Sequence, residues 1–261
     1  MLSSLQSEKK RRELNEKLIK SALILAAAIS ILTTFGILFS ILFEAIEFFQ
    51  LRSFWYFLTG TIWSPGVANS QFGALPIFAG TFVITIIALL VAIPIGLGSA
   101  IYMSEYASPK FRDYLKPILE ILAGIPTVVY GFFAAITVAP LVVKVAAFFG
   151  LEATFNSALA SGIVMGIMII PLISSLSDDV IRAVPDSQRK AAFALGMTHG
   201  ETIKNIVIPS AMPGIISASL LALSRALGET MIVVMAAGLR PNLSWNPLED
   251  MTTVTVTIVN S

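Results

Sequence analysis

The sequence contains no cysteine and a single histidine, and only 13% of its 261 residues are charged. Without cysteine the chain has no disulfide framework and no thiol chemistry. It also lacks a Walker A sequence, a spacing typical of metal ligands, and a nucleophile with a matching base and acid. We therefore expect no enzyme, no catalytic residue and no metal site in this chain, and no nucleic-acid partner.

Apolar residues make up 56% of the sequence, against roughly 45–50% in soluble domains. They are gathered into runs of about 20 residues, which is the length that crosses a bilayer. The composition predicts an all-α, polytopic bundle of membrane helices, with the lipid bilayer as its surroundings. Five spans are predicted, at about 21–43, 73–101, 118–139, 157–176 and 214–238.

Glycines in the second and fourth predicted spans indicate close packing between helices. Gly162 and Gly166 are four residues apart, so they form a small-residue face that a neighbouring helix can approach closely. Gly96 and Gly98 lie within an apolar run with no Lys-Ser/Thr behind them. We interpret them as packing or bending features and not as a phosphate loop.

The distribution of positive charge predicts the orientation. Residues 1–20 form a basic tail, expected to be disordered or interfacial, and residues 21–261 form the membrane domain. With the tail in the cytoplasm, the cytoplasmic segments hold 13 Lys and Arg residues and the outside segments hold 3. The positive-inside rule therefore predicts a multi-pass inner-membrane protein with a cytoplasmic N-terminus. No hydrophobic run follows Met251, so five spans place the C-terminus outside.

A polar segment, residues 186–213, lies between the last two apolar runs and is predicted to be cytoplasmic. Alanines at its start favour a helix, which Gly196 is expected to end or bend. Thr198 and Glu201 have the spacing of a capping box that begins a second helix. Pro209 and Pro213 are expected to close that helix, so the segment is predicted to be two short helices joined by a glycine turn.

Arg225 and Glu229 are two charged residues within the fifth predicted span, and their spacing of four predicts that they share a helix face. A charge at bilayer depth costs about 2.5–3.5 kcal/mol, so such residues face the bundle interior or a water-filled path. One interpretation is a self-paired bridge that only locks the helix. The other is an anion path, in which Arg225 offers a forked set of donors and Glu229 pairs with it or accepts a proton from a protonated oxyanion.

Several stretches together resemble the phosphate ABC-importer permeases of the PstC type, from about Phe72 to Ile258. The segment 186–213 resembles the EAA loop that ABC importers share, through Lys190, Ala191, Ala192, Gly196, Ile206 and Pro209. The more specific stretches are FGALPIFAGT (72–81), AIPIGLGSAIYMSEYA (92–107), GIPTVVYGF (124–132), SRALGET (224–230) and the MTTVTVTI tail (251–258).

This resemblance implies a subunit of a type I importer that moves inorganic phosphate. Its partners would be a second, similar permease, two cytoplasmic ATPases and a periplasmic phosphate-binding protein. ATP and Mg would be bound by the ATPases, with no cofactor in this chain. The EAA loop would dock into the ATPase, and Arg225 and Glu229 would be associated with anion passage.

The sequence departs from the family pattern at three points. Lys190 stands where an acidic residue is usual, which puts a salt bridge to the ATPase in doubt, and Ile208 stands where Leu is usual. The family also has a sixth span, which we do not expect here. Three alternatives stay open: a permease for another oxyanion such as sulfate or molybdate, an ATP-independent anion channel or secondary transporter, and a membrane scaffold.

Overall fold

A computed structural model describes the backbone of residues 2–66 and 70–260, with side chains from residue 15 onward. The helices are α1 (Leu2–Leu51), α2 (Phe54–Thr59), α3 (Leu75–Ile101), α4 (Pro109–Ala123), α5 (Thr127–Phe133), α6 (Ala139–Phe148), α7 (Ala158–Arg182), α8 (Asp186–Ala194), α9 (His199–Thr202), α10 (Ile208–Leu227), α11 (Met231–Ala236) and α12 (Val254–Asn260). Three π-helical segments continue them: π1 (Tyr102–Tyr106), π2 (Ala134–Val138) and π3 (Ile203–Val207). Two short strands, β1 (Trp63–Ser64) and β2 (Gln71–Phe72), pair antiparallel.

The chain divides into two compact units, residues 1–57 and 58–261. The first unit is dominated by α1, whose backbone includes the predicted basic tail from Leu2 on. The backbone of the tail is helical from Leu2 on, and the side chains of residues 1–14 lie outside the described residues. Phe48, Phe49 and Phe57 close the unit with edge-to-face ring contacts at centroid distances of 5.2 to 5.9 Å.

The second unit is built around α3 and α7, which pack through glycine. A Cβ atom at Gly162 would lie 2.7 Å from the Cβ of Ile87, and one at Gly166 would lie 2.8 Å from the carbonyl oxygen of Ala88. These separations are too short for any larger residue, so the predicted small-residue face is confirmed. Gly96 meets α7 in the same way, since a Cβ atom there would lie 2.9 Å from that of Ile173.

The N-terminus of α7 is covered by the loop between α11 and α12. The Ser157 hydroxyl caps the helix by accepting from the amide of Ala160. The amides of Ala158 and Leu159 donate to the carbonyls of Glu249 and Pro247, at 3.0 and 2.8 Å. The first-turn amides of an α-helix have no partner within it, so these contacts fix the loop on the helix end.

Among the described residues, five helical segments are long and apolar enough to cross a membrane, as predicted: Asn15–Leu51, Leu75–Tyr106, Thr127–Phe148, Ala158–Arg182 and His199–Leu227. The predicted bounds of the third span are wrong. The prediction of 118–139 crosses a break at Gly124–Pro126, where Pro126 has a ψ of 136° and starts a new helix. Proline disfavours the helical conformation at the residue before it, here Ile125. Helix α4 ends at Ala123, and the span begins at Thr127.

Candidate functional site

The segment 186–213 begins as the sequence predicts. Helix α8 ends before Gly196, which adopts a φ of +82°, a conformation that glycine reaches at little cost. Thr198 and Glu201 form the predicted capping box at the start of α9. The predicted end of the second helix is wrong, because α9, π3 and α10 follow one another without a gap, and the helix runs through Pro209 and Pro213 to Leu227. The second helix is therefore the start of the fifth span.

An open groove of about 540 Å³ lies between α8 and the start of α10. It is lined by most of the EAA-loop positions predicted to be functional, namely Ala191, Ala192, Ile206 and Pro209, together with Gln188, Leu195, Met197, Asn205 and Ser210. Lys190 lies on the exposed side of α8 and forms no ion pair with any described residue. The small alanines thus leave room for an inserted element, with a free cation beside it.

The fifth span does not continue to residue 238 as predicted. Helix α10 ends at Leu227, and the separate helix α11 begins at Met231. Glu229 lies in the break, where its Oε1 accepts hydrogen bonds from the amides of Met231 and Ile232 at 3.1 and 3.2 Å. The prediction that Arg225 and Glu229 share a helix face is therefore wrong, because α10 ends at Leu227 and the buried carboxylate of Glu229 accepts the first amides of α11 instead.

Arg225 lies in the last turn of α10, and its side chain is exposed on the surface of this chain. It forms no ion pair with any described residue, so the self-paired bridge to Glu229 is not present in this structure. The guanidinium therefore keeps its full set of donors for a ligand.

The breaks at 124–126 and 228–230 lie on helices that pack together. A Cβ atom at Gly131 would lie 2.8 Å from the Sδ of Met235 and 3.1 Å from the carbonyl oxygen of Met231, so α5 and α11 are in close contact. The stretches GIPTVVYGF and SRALGET are thus neighbours in space. Broken membrane helices of this kind expose backbone ends near substrate paths in transporters.

The tail segment 251–258 holds the second break in place. The hydroxyl of Thr255 donates to the carbonyl of Glu229 at 2.8 Å, and the amide of Val254 donates to the hydroxyl of Thr81 on α3 at 3.1 Å. Thr252 and Thr253 are buried. Beyond the resemblance of the tail to the family pattern, its alternating threonines are a signal in the sequence that hydroxyl groups meet the rest of the bundle.

Paired charges gather at the opposite end of α7, on what we call the loop face, residues 102–116 and 178–205. Asp178, near the end of α7, has a side chain that is only 1% exposed and accepts from Arg112 at 2.7 Å. The hydrogen bond from Arg112 to Asp178 raises the pKa of the guanidinium above its ordinary value. Asp179, which is exposed, pairs with Lys116 at 2.6 Å.

His199, the single histidine, is a contact residue of the loop face. Its Nε2 lies 3.2 Å from the carbonyl oxygen of Glu105, and its ring lies between those of Tyr106 and Phe193. Among residues 15–66 and 70–260, no group of three or more His, Asp or Glu side chains is placed to hold a metal ion.

The comparison with protein-family models now identifies the chain. The model for the binding-protein-dependent transport system inner membrane component matches residues 92–252, which is more than half of the sequence and includes both breaks and the EAA-like loop. The chain belongs to this family. It is a membrane permease component of an ABC transporter and is not itself the catalytic subunit.

Curated members of this permease family resemble the chain over most of its length. The Phosphate transport system permease protein PstC of Mesorhizobium japonicum is 34% identical over 254 residues, covering 90% of this chain and 76% of that protein. The Probable ABC transporter permease protein YqgH of Bacillus subtilis is 37% identical over 202 residues. The match covers 77% of this chain but only 64% of YqgH. The predicted resemblance to PstC-type permeases is confirmed.

Solved structures also resemble this permease. An inward-facing structure of the MetNI methionine ABC transporter aligns with a TM-score of 0.49 and 19% identity, covering 63% of this chain and 73% of that one.

Proposed function

We propose that this permease moves inorganic phosphate across the inner membrane as part of an ATP-driven importer. The observation that carries the proposal is the break at 228–230, which leaves the Arg225 guanidinium exposed and without an ion pair among the described residues. Names of relatives support the substrate, because the Mesorhizobium protein is a PstC phosphate permease.

Arg225 would bind the anion directly. Its planar fork of N–H donors matches the oxygens of an oxyanion, and a charge at bilayer depth is retained where it faces a water-filled path. Because Arg225 is exposed from this chain, we place the path on the side of α10 that a second, homologous permease would cover. Alternating access would then close and open the path around this residue.

Glu229 has a different role in this proposal. Its carboxylate is only 8% exposed and already accepts two backbone amides, so it fixes the shape of the break. In that position it keeps the last turn of α10, and with it Arg225, at a defined angle to α11. We therefore treat Arg225 as the anion-binding residue and Glu229 as the residue that positions it.

The groove beside α8 would receive the ATPase. Ala191 and Ala192 leave space for a helix of the partner, and Lys190 offers a cation where an acidic residue is usual in the family. We expect the ATPase surface facing Lys190 to be acidic. The complete importer would contain the second permease, two ATPases that bind ATP and Mg, and a periplasmic phosphate-binding protein, with the loop face in the cytoplasm.

Another oxyanion is the main alternative substrate, since the Bacillus relative carries no substrate in its name. Sulfate and molybdate would use the same guanidinium. Sulfate differs from phosphate because, when fully ionised, it offers no hydrogen-bond donor. Competition between these anions therefore separates the alternatives.

The test is uptake of labelled phosphate into vesicles that carry this chain with its genetic neighbours. We expect ATP-dependent uptake that excess sulfate and molybdate leave unchanged and that Arg225→Ala abolishes. Arg240→Ala is the matched control, because Arg240 is another exposed arginine of the same unit, outside the helices, and its loss should leave uptake intact. Uptake without ATP would indicate a channel, and competition by sulfate or molybdate would assign another substrate.

A further inference from the structure

We propose that Glu105 is the residue through which movement of the EAA-like loop enters the membrane helices, and that Arg189 and His199 are the positioning residues that connect the loop to it. The inference rests on the proposed function, because it concerns how ATP-driven movement would reach the transport path. It assigns a coupling role to residues that were not among the predicted functional positions of the loop.

Arg189 ties α8 to the rest of the bundle. Its Nη2 donates to Oε1 of Glu105 at 2.9 Å and to the carbonyl of Ile181 at 3.0 Å, and its Nη1 donates to the carbonyl of Val184. The side chains of Arg189 and Glu105 are only 16% and 5% exposed. Arg189 also lies 3.4 Å from the exposed carboxylate of Asp186 on its own helix. The covered pair is nevertheless costly to separate, because Glu105 would be left buried without its counter-charge.

His199 ties the second helix of the loop to the same residue. Its Nε2 lies 3.2 Å from the backbone oxygen of Glu105, and its ring lies 5.1 Å from that of Tyr106 and 6.2 Å from that of Phe193 on α8. Both helices of the loop, α8 and α9, therefore contact one residue through independent groups. A movement of the loop as a body would displace Glu105 with it.

Glu105 lies at the end of a continuous helical rod. The π1 segment continues α3 without a break, so the rod runs from Leu75 to Tyr106. Its far end contains Thr81, whose hydroxyl accepts from the amide of Val254, and the neighbouring Thr255 holds the carbonyl of Glu229. A single continuous helical element thus has the loop at one end and the tail segment that holds the Arg225 break at the other.

The π1 segment gives the rod a place to yield. A π-helical turn contains one residue more than an α-helical turn, and such turns occur frequently at functional sites. Glu105 lies within this turn. Release or tightening of the Glu105–Arg189 pair would act directly on this turn.

The experiment compares transport with ATP hydrolysis in the assembled importer. In Glu105→Gln the side chain keeps its size and loses its charge. We expect the complex to assemble and hydrolyse ATP, with substrate moved per ATP reduced by about tenfold, which lies in the usual range of coupling between sites. The double variant Glu105→Arg with Arg189→Glu reverses the pair and should restore part of the substrate moved per ATP.

Asp179→Asn is the matched control, since it removes a charge pair of the same loop face that is exposed and does not touch α8. The substrate moved per ATP in Asp179→Asn should equal that of the wild type. An unchanged ratio in Glu105→Gln would overturn the proposal. Equal loss of assembly and hydrolysis in Glu105→Gln and in the reversed pair would also overturn it. That result would assign the pair a packing role alone.

A second readout does not depend on the substrate. Hydrogen exchange of residues 102–106 should change when ATP is added to the wild-type complex and stay unchanged in Glu105→Gln. If wild-type vesicles take up no phosphate, the proposed function fails, and this exchange measurement still decides the role of Glu105. An equal response of wild type and variant to ATP would overturn the coupling role.

Discussion

Arg112 and Arg189 on the loop face contrast with Arg225 at the break after α10. On the loop face, Arg112 and Arg189 are mostly covered, and each donates to a carboxylate and, for Arg189, to backbone carbonyls as well. At the break after α10, Arg225 is exposed and has no ion-pair partner among the described residues. A guanidinium whose donors are all satisfied holds a structure together, whereas one whose donors are free is available to a ligand. The difference separates structural arginines from the candidate transport residue.

The largest effect should come from breaking the covered pair at Asp178. Arg112→Ala leaves a carboxylate that is 1% exposed without its counter-charge, and its Oδ1 already has no hydrogen-bond partner among the described residues. We expect destabilisation of about 3–5 kcal/mol. The measurement is denaturation of the purified protein in detergent. Lys116→Ala, which breaks an exposed pair, should cost about 0–1 kcal/mol, and equal losses in the two variants would contradict the distinction.

Arg225 should show the reverse pattern, with a loss of transport and no loss of stability. In Arg225→Lys the positive charge stays but the planar fork is lost, so we expect uptake to fall by about tenfold, equivalent to about 1.4 kcal/mol. The denaturation midpoint should match that of the wild type. A lowered midpoint would show that Arg225 is a structural residue like Arg112.

Glu229 tests whether the break is held by a cap. Glu229→Gln keeps an oxygen that accepts the amides of Met231 and Ile232, whereas Glu229→Ala removes it. We expect Glu229→Ala to cost about 1 kcal/mol of stability, the usual value of a lost helix cap, and to lower uptake, while Glu229→Gln keeps both close to wild type. A large loss of uptake in Glu229→Gln alone would instead support proton acceptance by this carboxylate.

The loop face was partly predictable because its signals are local. Gly196 and the Thr198–Glu201 spacing report conformations set by neighbours in the chain, so the turn and capping box appeared where expected. The Gly162–Gly166 face was predictable for the same reason. The pairs Arg112–Asp178 and Arg189–Glu105 join residues far apart in sequence, and no periodicity shows which distant carboxylate an arginine will meet.

The break at 228–230 shows where composition fails. Residues 214–238 are mostly apolar, and apolarity alone cannot distinguish one long helix from two short ones in contact. What ends α10 is the combination of Gly228, which weakens the helix, and Glu229, whose carboxylate satisfies the next helix start. The spacing of four between Arg225 and Glu229 predicted a shared face only on the assumption that the helix continued.

The smallest effect concerns the loop over the start of α7, where a carboxylate rather than an arginine is the charged group. Hydrogen bonds from the side chains of Ser244, Asn246 and Asn242 lower the pKa of Glu249 below its ordinary value of 4.5. A lowered pKa means that the ionised form favours the folded loop. The stabilisation is present above about pH 4.5 and is lost as the pH falls through the lower, folded pKa.

The amides of Ala158 and Leu159 report this loss, because they donate to carbonyls of the same loop. After correction for intrinsic exchange rates, we expect their protection to decline in the wild type as the pH falls below about 4.5. In Glu249→Gln the protection should be slightly lower at neutral pH and should not change across that window. A parallel decline in both proteins would show that the loop is held by its backbone contacts alone. Charge at this end of α7 would then contribute nothing to the fold, in contrast to the covered pairs at the other end.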